Sequence, residues 1–256
     1  MSMTPHGSAQ QPGVDASVDL VPVMAERLAA VQARIEAAAR RAGRDPKDIT
    51  LVGVAKTFPP EVVHAAIAAG LRDIGENRVQ EARDKKPAVL ALSGEAAQQT
   101  RWHLIGHLQT NKVNMAMRLF DVFHSWDRLP LMEAMSQRAQ REGRILEGFV
   151  QVNIGREPNK SGVDPDKLFD LLEAGCQLPG LRVLGLMAIP PMTDDPEDAR
   201  PYFRRLRELS EEARARGIGG FTGEQLSMGM TNDFEIAIEE GATVVRVGRA
   251  LFGDRP

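Results

Sequence analysis

Eight strand-like runs alternate with helical patterns along this chain, and that alternation leaves few folds open. The runs lie at 50–56, 72–76, 102–106, 120–126, 145–154, 181–189, 224–228 and 243–247. Helices are expected between them: after Pro59 as far as Gly70, from about 77 past Lys86, over 109–118, 130–142, 165–176 and 196–216, and from Thr231 onward. Such alternation implies a parallel sheet with helical crossovers. Eight repeats imply closure into a barrel, and 256 residues is close to the usual length of about 250 for that fold. An open doubly wound sheet is the alternative, but its Gly-x-Gly-x-x-Gly turn after the first strand is absent. A further helix is expected over 23–42, where Leu28, Val31 and Ile35 recur at helical spacing and Gly43 closes the pattern. The expected architecture is therefore α/β: a single (β/α)8 barrel over 21–256, with an extra amino-terminal helix. Residues 1–20 carry Pro, Gly, Ser and Gln but no Lys or Arg, and read as a disordered tail rather than a secretory signal.

Composition removes several function classes. A net charge of −3 gives no basic surface for nucleic acid or anionic membrane. No apolar run approaches membrane-spanning length. Cys176 is the only cysteine, which excludes an internal disulfide and a cysteine-rich metal site, so no metal is expected. A reducing, cytoplasmic compartment fits this usage.

In a parallel barrel the carboxyl ends of the strands build the active site. The first run, Leu51-Val52-Gly53-Val54-Ala55-Lys56-Thr57, ends on a lysine and is stopped by Pro59-Pro60. A lysine in a partly dry pocket can form Schiff bases with aldehydes such as pyridoxal phosphate. Taken alone, the stretch fits a lysine reaching out into water at least as well. The other strand ends offer Glu76 and Asn77, His103 and His107, Asn153, Met187, Ser227 with Gly229 and Thr231, and Arg246 with Gly248.

The last two strands carry the strongest signal. Barrels often bind phosphate with the loops after strands 7 and 8, where free N–H groups and a helix amino terminus supply the charge complement. Thr231 could equally be a plain helix cap and Gly248 a plain turn. Arg246 should share the inward direction of Gly248. As a buried arginine it needs an acceptor: either an ion pair with Glu76 or Asp233, or the ring nitrogen of a bound cofactor. His103 and His107 straddle a strand end, lack metal-ligand spacing, and are assigned structural or rim positions. Lys160, in the polar loop 155–162, is either a second amine near the site or a solvated lysine.

Together these stretches resemble the pyridoxal phosphate homeostasis proteins, the YggS/PROSC family. The matching segments are Val54-Ala55-Lys56-Thr57, Gly75-Glu76-Asn77-Arg78-Val79-Gln80-Glu81, the run from Trp102 to Lys112, Asn159-Lys160-Ser161-Gly162, Gly185-Leu186-Met187-Ala188-Ile189, Leu226-Ser227-Met228-Gly229-Met230 and Val245-Arg246-Val247-Gly248. The resemblance implies a fold-type III barrel like the amino-terminal domain of alanine racemase. It implies pyridoxal 5'-phosphate held as a Schiff base on Lys56. It places Asn77 near the cofactor, Thr231 and Gly248 at its phosphate, and Arg246 at its pyridine nitrogen. The expected cofactor-binding set is Lys56, Asn77, Met187, Ser227, Thr231, Arg246, Gly248 and Arg249, with no catalytic residue. Three positions depart from the family pattern: Thr231 stands for the usual Ser, Arg249 for a small hydroxyl residue, and Phe58 for a second lysine found in some members.

Three functions follow from a Schiff-base lysine in a barrel. The first is a carrier or reservoir acting in intracellular pyridoxal phosphate homeostasis, expected to be a monomer that supplies apo-enzymes. The second is an amino-acid racemase, which needs an acid/base on both faces of the substrate Cα. Fold-type III racemases take the second base, a tyrosine, from a separate β-rich domain. Here the only tyrosine, Tyr202, falls on the helix after strand 6, outside the barrel mouth. The third is a cofactor-free aldolase, which lacks a partner base beside Lys56. The carrier reading is expected, with racemization as the alternative.

Overall fold

The computed structural model describes residues 19–254. The expected tail over 1–20 lies outside the described residues except for Asp19 and Leu20, the cap and the first residue of the first helix. That helix, α1 (Leu20–Arg41), begins three residues before the predicted 23 because the Asp19 carboxylate accepts the Val21 N–H at 3.0 Å and caps it. The chain then runs β1 (Thr50–Val54), α2 (Pro60–Ala68), β2 (Asp73–Glu76), α3 (Val79–Ser93), α4 (Glu95–Gln98), β3 (Arg101–Leu104), α5 (Val113–Leu119), β4 (Val122–Trp126) and α6 (Leu129–Glu142). It continues through β5 (Leu146–Val152), α7 (Leu168–Gly175), β6 (Leu181–Ala188), α8 (Arg200–Ala215), β7 (Phe221–Ser227), α9 (Phe234–Glu239), β8 (Val244–Val247) and α10 (Arg249–Phe252).

The eight strands form one closed parallel barrel in sequence order. Closure is made by β8 on β1, in register from Thr50 opposite Val244 to Gly53 opposite Val247. The two-residue strand period gives the wall two faces. Ile74, Leu104, Phe123, Val150, Leu186 and Val245 join the main core shared with the helices. Val52, Val122, Phe149, Met187 and Val244 form a separate small cluster. They come from five strands around the ring, so they meet across its lumen and plug it. Each large side chain buried in either core contributes roughly 1.5–3 kcal/mol.

Helix α1 does more than add length. It buries Met24, Leu28, Val31, Ile35 and Ala38 along one stripe and packs against α2, α9 and α10. Because α10 is only four residues long, α1 takes the place in the helical ring that a full helix after β8 would fill. Further boundaries differ from expectation. The polar loop at 93–100 contains α4, entered through Gly94 at φ +53°. Strand β7 starts at Phe221 rather than 224, because Gly223 at φ +62° interrupts the apolar pattern without breaking the strand.

Candidate functional site

A cavity of about 890 Å³ opens at the carboxyl ends of the strands. Lys56, Asn77, Thr231, Arg246, Gly248 and Arg249 line one side, and His107, Asn153, Lys160 and the segment after Ile189 line the other. Six of the eight expected residues therefore meet there. Met187 and Ser227 are fully buried beneath it and do not reach its wall: Met187 belongs to the lumen plug and Ser227 to a polar chain described below.

Lys56 follows β1 at a sharply turned position. Thr57, the next residue, has φ +70°, the left-handed region that β-branched residues rarely enter. Such a conformation costs on the order of 1–3 kcal/mol unless its surroundings impose it. The surroundings here come from α3. Lys85 Nζ donates to the Ala55 carbonyl at 2.8 Å, to Glu76 Oε1 at 2.7 Å and to Glu81 Oε1 at 2.9 Å. The Thr57 N–H donates to the same Glu81 carboxylate. Lys85 is only 7% exposed and Glu76 is fully buried. Glu76 thus points away from the mouth, behind the sheet, and is not part of the cavity. Burial pushes its carboxyl up to about 7 against the opposing pull of Lys85, and its Oε2 has no hydrogen-bond partner.

Across the barrel closure from β1, with β8 between them, β7 turns through Gly229 at φ +90°, where any Cβ would strike Ala237 and Phe234. Helix α9 starts at Phe234, not at Thr231, because Asp233 Oδ1 takes the Met230 N–H at 2.6 Å and closes a turn first. Thr231 therefore does not cap that helix. Its hydroxyl crosses to β8 and accepts the Gly248 N–H at 3.2 Å, tying the two loops together. Arg249 begins α10 immediately after.

Arg246 is 3% exposed. Neither alternative ion pair forms: it donates to Ser227 Oγ and to the Ala188 carbonyl (2.9 Å), and Glu76 is held by Lys85. Burial lowers its pKa to about 10, with Asp233 opposing, so it stays charged at neutral pH. Beneath it runs a chain through the lumen. Ser227 Oγ lies 2.8 Å from His124 Nδ1, His124 Nε2 lies 2.9 Å from His103 Nδ1, and His103 Nε2 lies 2.8 Å from Asp73 Oδ1. Burial, followed by the nearby His103 and Arg246, holds His124 well below the usual imidazole range, so it is neutral. Arginine can only donate, and a neutral imidazole donates from one ring nitrogen and accepts at the other. The chain thus runs from Arg246 through Ser227, neutral His124 and His103 to Asp73, with Arg246 the donor at its upper end. His103 takes the structural position expected of it. His124 was not anticipated, because a histidine in the middle of an apolar strand gives no sign of which way it faces.

The remaining residues sit at the rim. His107 approaches Asp127 at 3.4 Å, and Lys160 pairs with Glu157 at 2.7 Å. Tyr202 is on α8, packed against the outer core. Among the described residues no group of three or more His, Cys, Asp or Glu side chains is placed to hold a metal ion, and no helix is long and apolar enough to cross a membrane.

The donor set fits a phosphorylated pyridine aldehyde. It comprises a lysine at the mouth, a buried arginine whose partners are all neutral, and a backbone N–H with a hydroxyl at the two phosphate-type loops. The chain matches the family described as "Alanine racemase, N-terminal domain" over residues 27–256. That is the class: a barrel of the alanine racemase amino-terminal type. Alanine racemase from Corynebacterium glutamicum shares the fold alone, at 16% identity and TM-score 0.63 over 91% of this chain and 62% of that one. Nearer relatives are more informative. A pyridoxal phosphate homeostasis protein from Aquifex aeolicus is 46% identical over 230 residues, 90% of this chain and 97% of that one. One from Pseudomonas aeruginosa is 44% identical over 232 residues, 91% and 96% of the two chains. The solved structure of PipY from Synechococcus elongatus PCC7942 with PLP bound is 34% identical, with TM-score 0.78 over 90% of this chain and all of that one. The chain belongs to the pyridoxal phosphate homeostasis protein family.

Proposed function

We propose that this chain binds pyridoxal 5'-phosphate at the barrel mouth through Lys56 and serves as an intracellular, cytoplasmic carrier that holds the cofactor for apo-enzymes without strong catalysis of its own. The observation that carries the reading is the convergence of Lys56, Arg246 and the Thr231–Gly248 pair on one cavity. Lys56 would be the covalent anchor. The Gly248 loop, the Thr231 hydroxyl and Arg249 would take the phosphate. Asn77 would flank the ring, backed by Gly106, whose position against the Asn77 backbone leaves no room for a side chain. Met187 and Ser227 would act from below, one as packing and the other by holding Arg246. When bound, the cofactor supplies an aldehyde carbon for imine formation and an electron-withdrawing ring.

Arg246 would donate a hydrogen bond to the ring nitrogen but cannot release a proton to it. That keeps electron withdrawal weak, which suits storage better than carbanion chemistry. Tyr202 offers no second base at the mouth. We expect a monomer.

The test is Cα proton exchange. Holo-protein is incubated in deuterated water with L- and D-amino acids and deuterium is read by mass spectrometry. No incorporation above the free-cofactor rate is expected, whereas enzyme-like incorporation would return the racemase reading. Borohydride reduction followed by peptide mapping should place the adduct on Lys56, and Lys56→Ala should lose it while retaining weak phosphate-anchored binding. An adduct on another lysine would overturn the assignment.

A further inference from the structure

We propose that Glu81 and Lys85 of α3 are positioning residues for Lys56: together they clamp the two peptide groups that flank it and so fix the direction of its side chain. This rests on the reading that Lys56 is the covalent anchor.

The argument starts from what each peptide group needs. Ala55 donates its N–H to the Gly75 carbonyl at 2.9 Å within the barrel wall, and its carbonyl goes to Lys85 Nζ. On the other side of Lys56, the Thr57 N–H goes to Glu81. Neither of these last two contacts is part of the sheet ladder; both are made by side chains one helical turn apart on α3, joined by their own ion pair. Without them the backbone would relax toward the ordinary φ range, because a threonine at φ +70° is held only when its surroundings over-determine it. A rotation there would swing the Lys56 stem. Glu76 completes the clamp by taking the third Lys85 proton, so all three ammonium donors are used and Lys85 has one geometry. Lys85 itself is walled off from the cavity and cannot substitute for Lys56.

The step that depends on this aim is condensation. Lys56 Nζ, after giving its ammonium proton to solvent, adds to an aldehyde carbon; a C=N bond forms and one water leaves. A small misplacement of a reacting atom costs up to about 100-fold in rate.

The experiment measures the rate at which apo-protein forms the borohydride-fixable adduct with pyridoxal 5'-phosphate, together with the rate of Lys56 acylation by a small neutral reagent, across pH. Glu81→Ala is expected to slow both by roughly tenfold or more while the unfolding midpoint moves little, since Glu81 is partly exposed. Glu81→Gln keeps an acceptor for the Thr57 N–H and should recover most of the rate. The double variant Lys85→Met with Glu76→Gln removes the buried charge along with its partner, so neither is stranded, and it should be slow as well. Arg83→Ala, on the exposed face of α3, is the control. Wild-type rates in Glu81→Ala and in the double variant, with the adduct still mapped to Lys56, would overturn the clamp. An adduct mapped elsewhere in the wild-type protein would instead overturn the anchor reading, so the two failures are separable.

Discussion

Two buried polar clusters serve this barrel, and they are built on opposite plans. Behind β1 and β2, Lys85, Glu76 and Glu81 bring three charges into direct contact outside the wall. Inside the lumen, Arg246 and Asp73 never touch: Ser227, neutral His124 and His103 stand between them. The first arrangement fixes position: charges in contact in a low-dielectric setting tolerate little displacement. The second keeps its groups apart: no carboxylate hydrogen-bonds Arg246, whose guanidinium donates to Ser227 and the Ala188 carbonyl while Asp233 acts on it only through space. One cluster therefore aims an amine and the other presents a cation. The difference teaches why each end of a flat aromatic ligand would meet a different kind of support.

The sharpest way to break the comparison is to remove one charge from each cluster. Lys85→Ala strands buried Glu76 and should cost about 3–5 kcal/mol in denaturant unfolding at pH 8. The cost should shrink at pH 5, where Glu76 takes up a proton. The same carboxyl sets a pH dependence in the wild-type protein. Its folded value, about 7, lies above the ordinary carboxyl value of 4.5. The folded state therefore holds the proton more tightly than the unfolded state. The associated stability is complete below about 4.5 and is lost as pH rises through about 7, by up to roughly 3 kcal/mol. Urea midpoints at pH 5 and pH 8 should differ in that direction, and Glu76→Gln should flatten the difference. An unchanged slope in Glu76→Gln would assign the effect to another group.

Much of this was legible in the sequence. Eight alternating runs are enough to name the barrel, and once the barrel is named, strand ends point to Lys56, Asn77, Arg246 and Gly248. The supports were not legible, for a physical reason. Lys85 sits in Glu81-Ala82-Arg83-Asp84-Lys85-Lys86, which reads as a solvated helix face; that one lysine of it turns inward depends on where α3 crosses β2. His124 and Asp73 are partners at one remove through His103, and that contact exists only after the strands close into a ring with a particular register. The same applies to Thr231, whose local sequence suits a helix cap but whose hydroxyl is claimed by Gly248.

Cutting the lumen chain should have a smaller effect than breaking the clamp, because no charge is stranded next to its cut. His124→Phe is expected to cost about 1–3 kcal/mol, the range for leaving a buried hydroxyl without its acceptor. It should also change the pH response of the bound cofactor's visible spectrum, since Ser227, the hydroxyl that Arg246 donates to, would lose the imidazole that fixes it. Asp73→Asn should be milder, because that end of the chain is partly exposed and water can replace it. If His124→Phe destabilised as much as Lys85→Ala, the two plans would not differ in kind.

The smallest expected effect is the most discriminating. Thr57→Gly removes the left-handed strain but adds flexibility to the unfolded chain, two terms of about 1 kcal/mol with opposite sign. Stability should therefore barely change. If the clamp aims Lys56, adduct formation should also stay within about twofold of wild type, because Glu81 still receives the N–H of residue 57. A tenfold fall in rate with stability intact would show that the threonine side chain, and not the α3 carboxylate, holds the turn. Thr57→Gly combined with Glu81→Ala closes the comparison: with both strain and clamp removed, the rate should fall to that of Glu81→Ala alone if Glu81 is the determinant, and well below it if the two act independently.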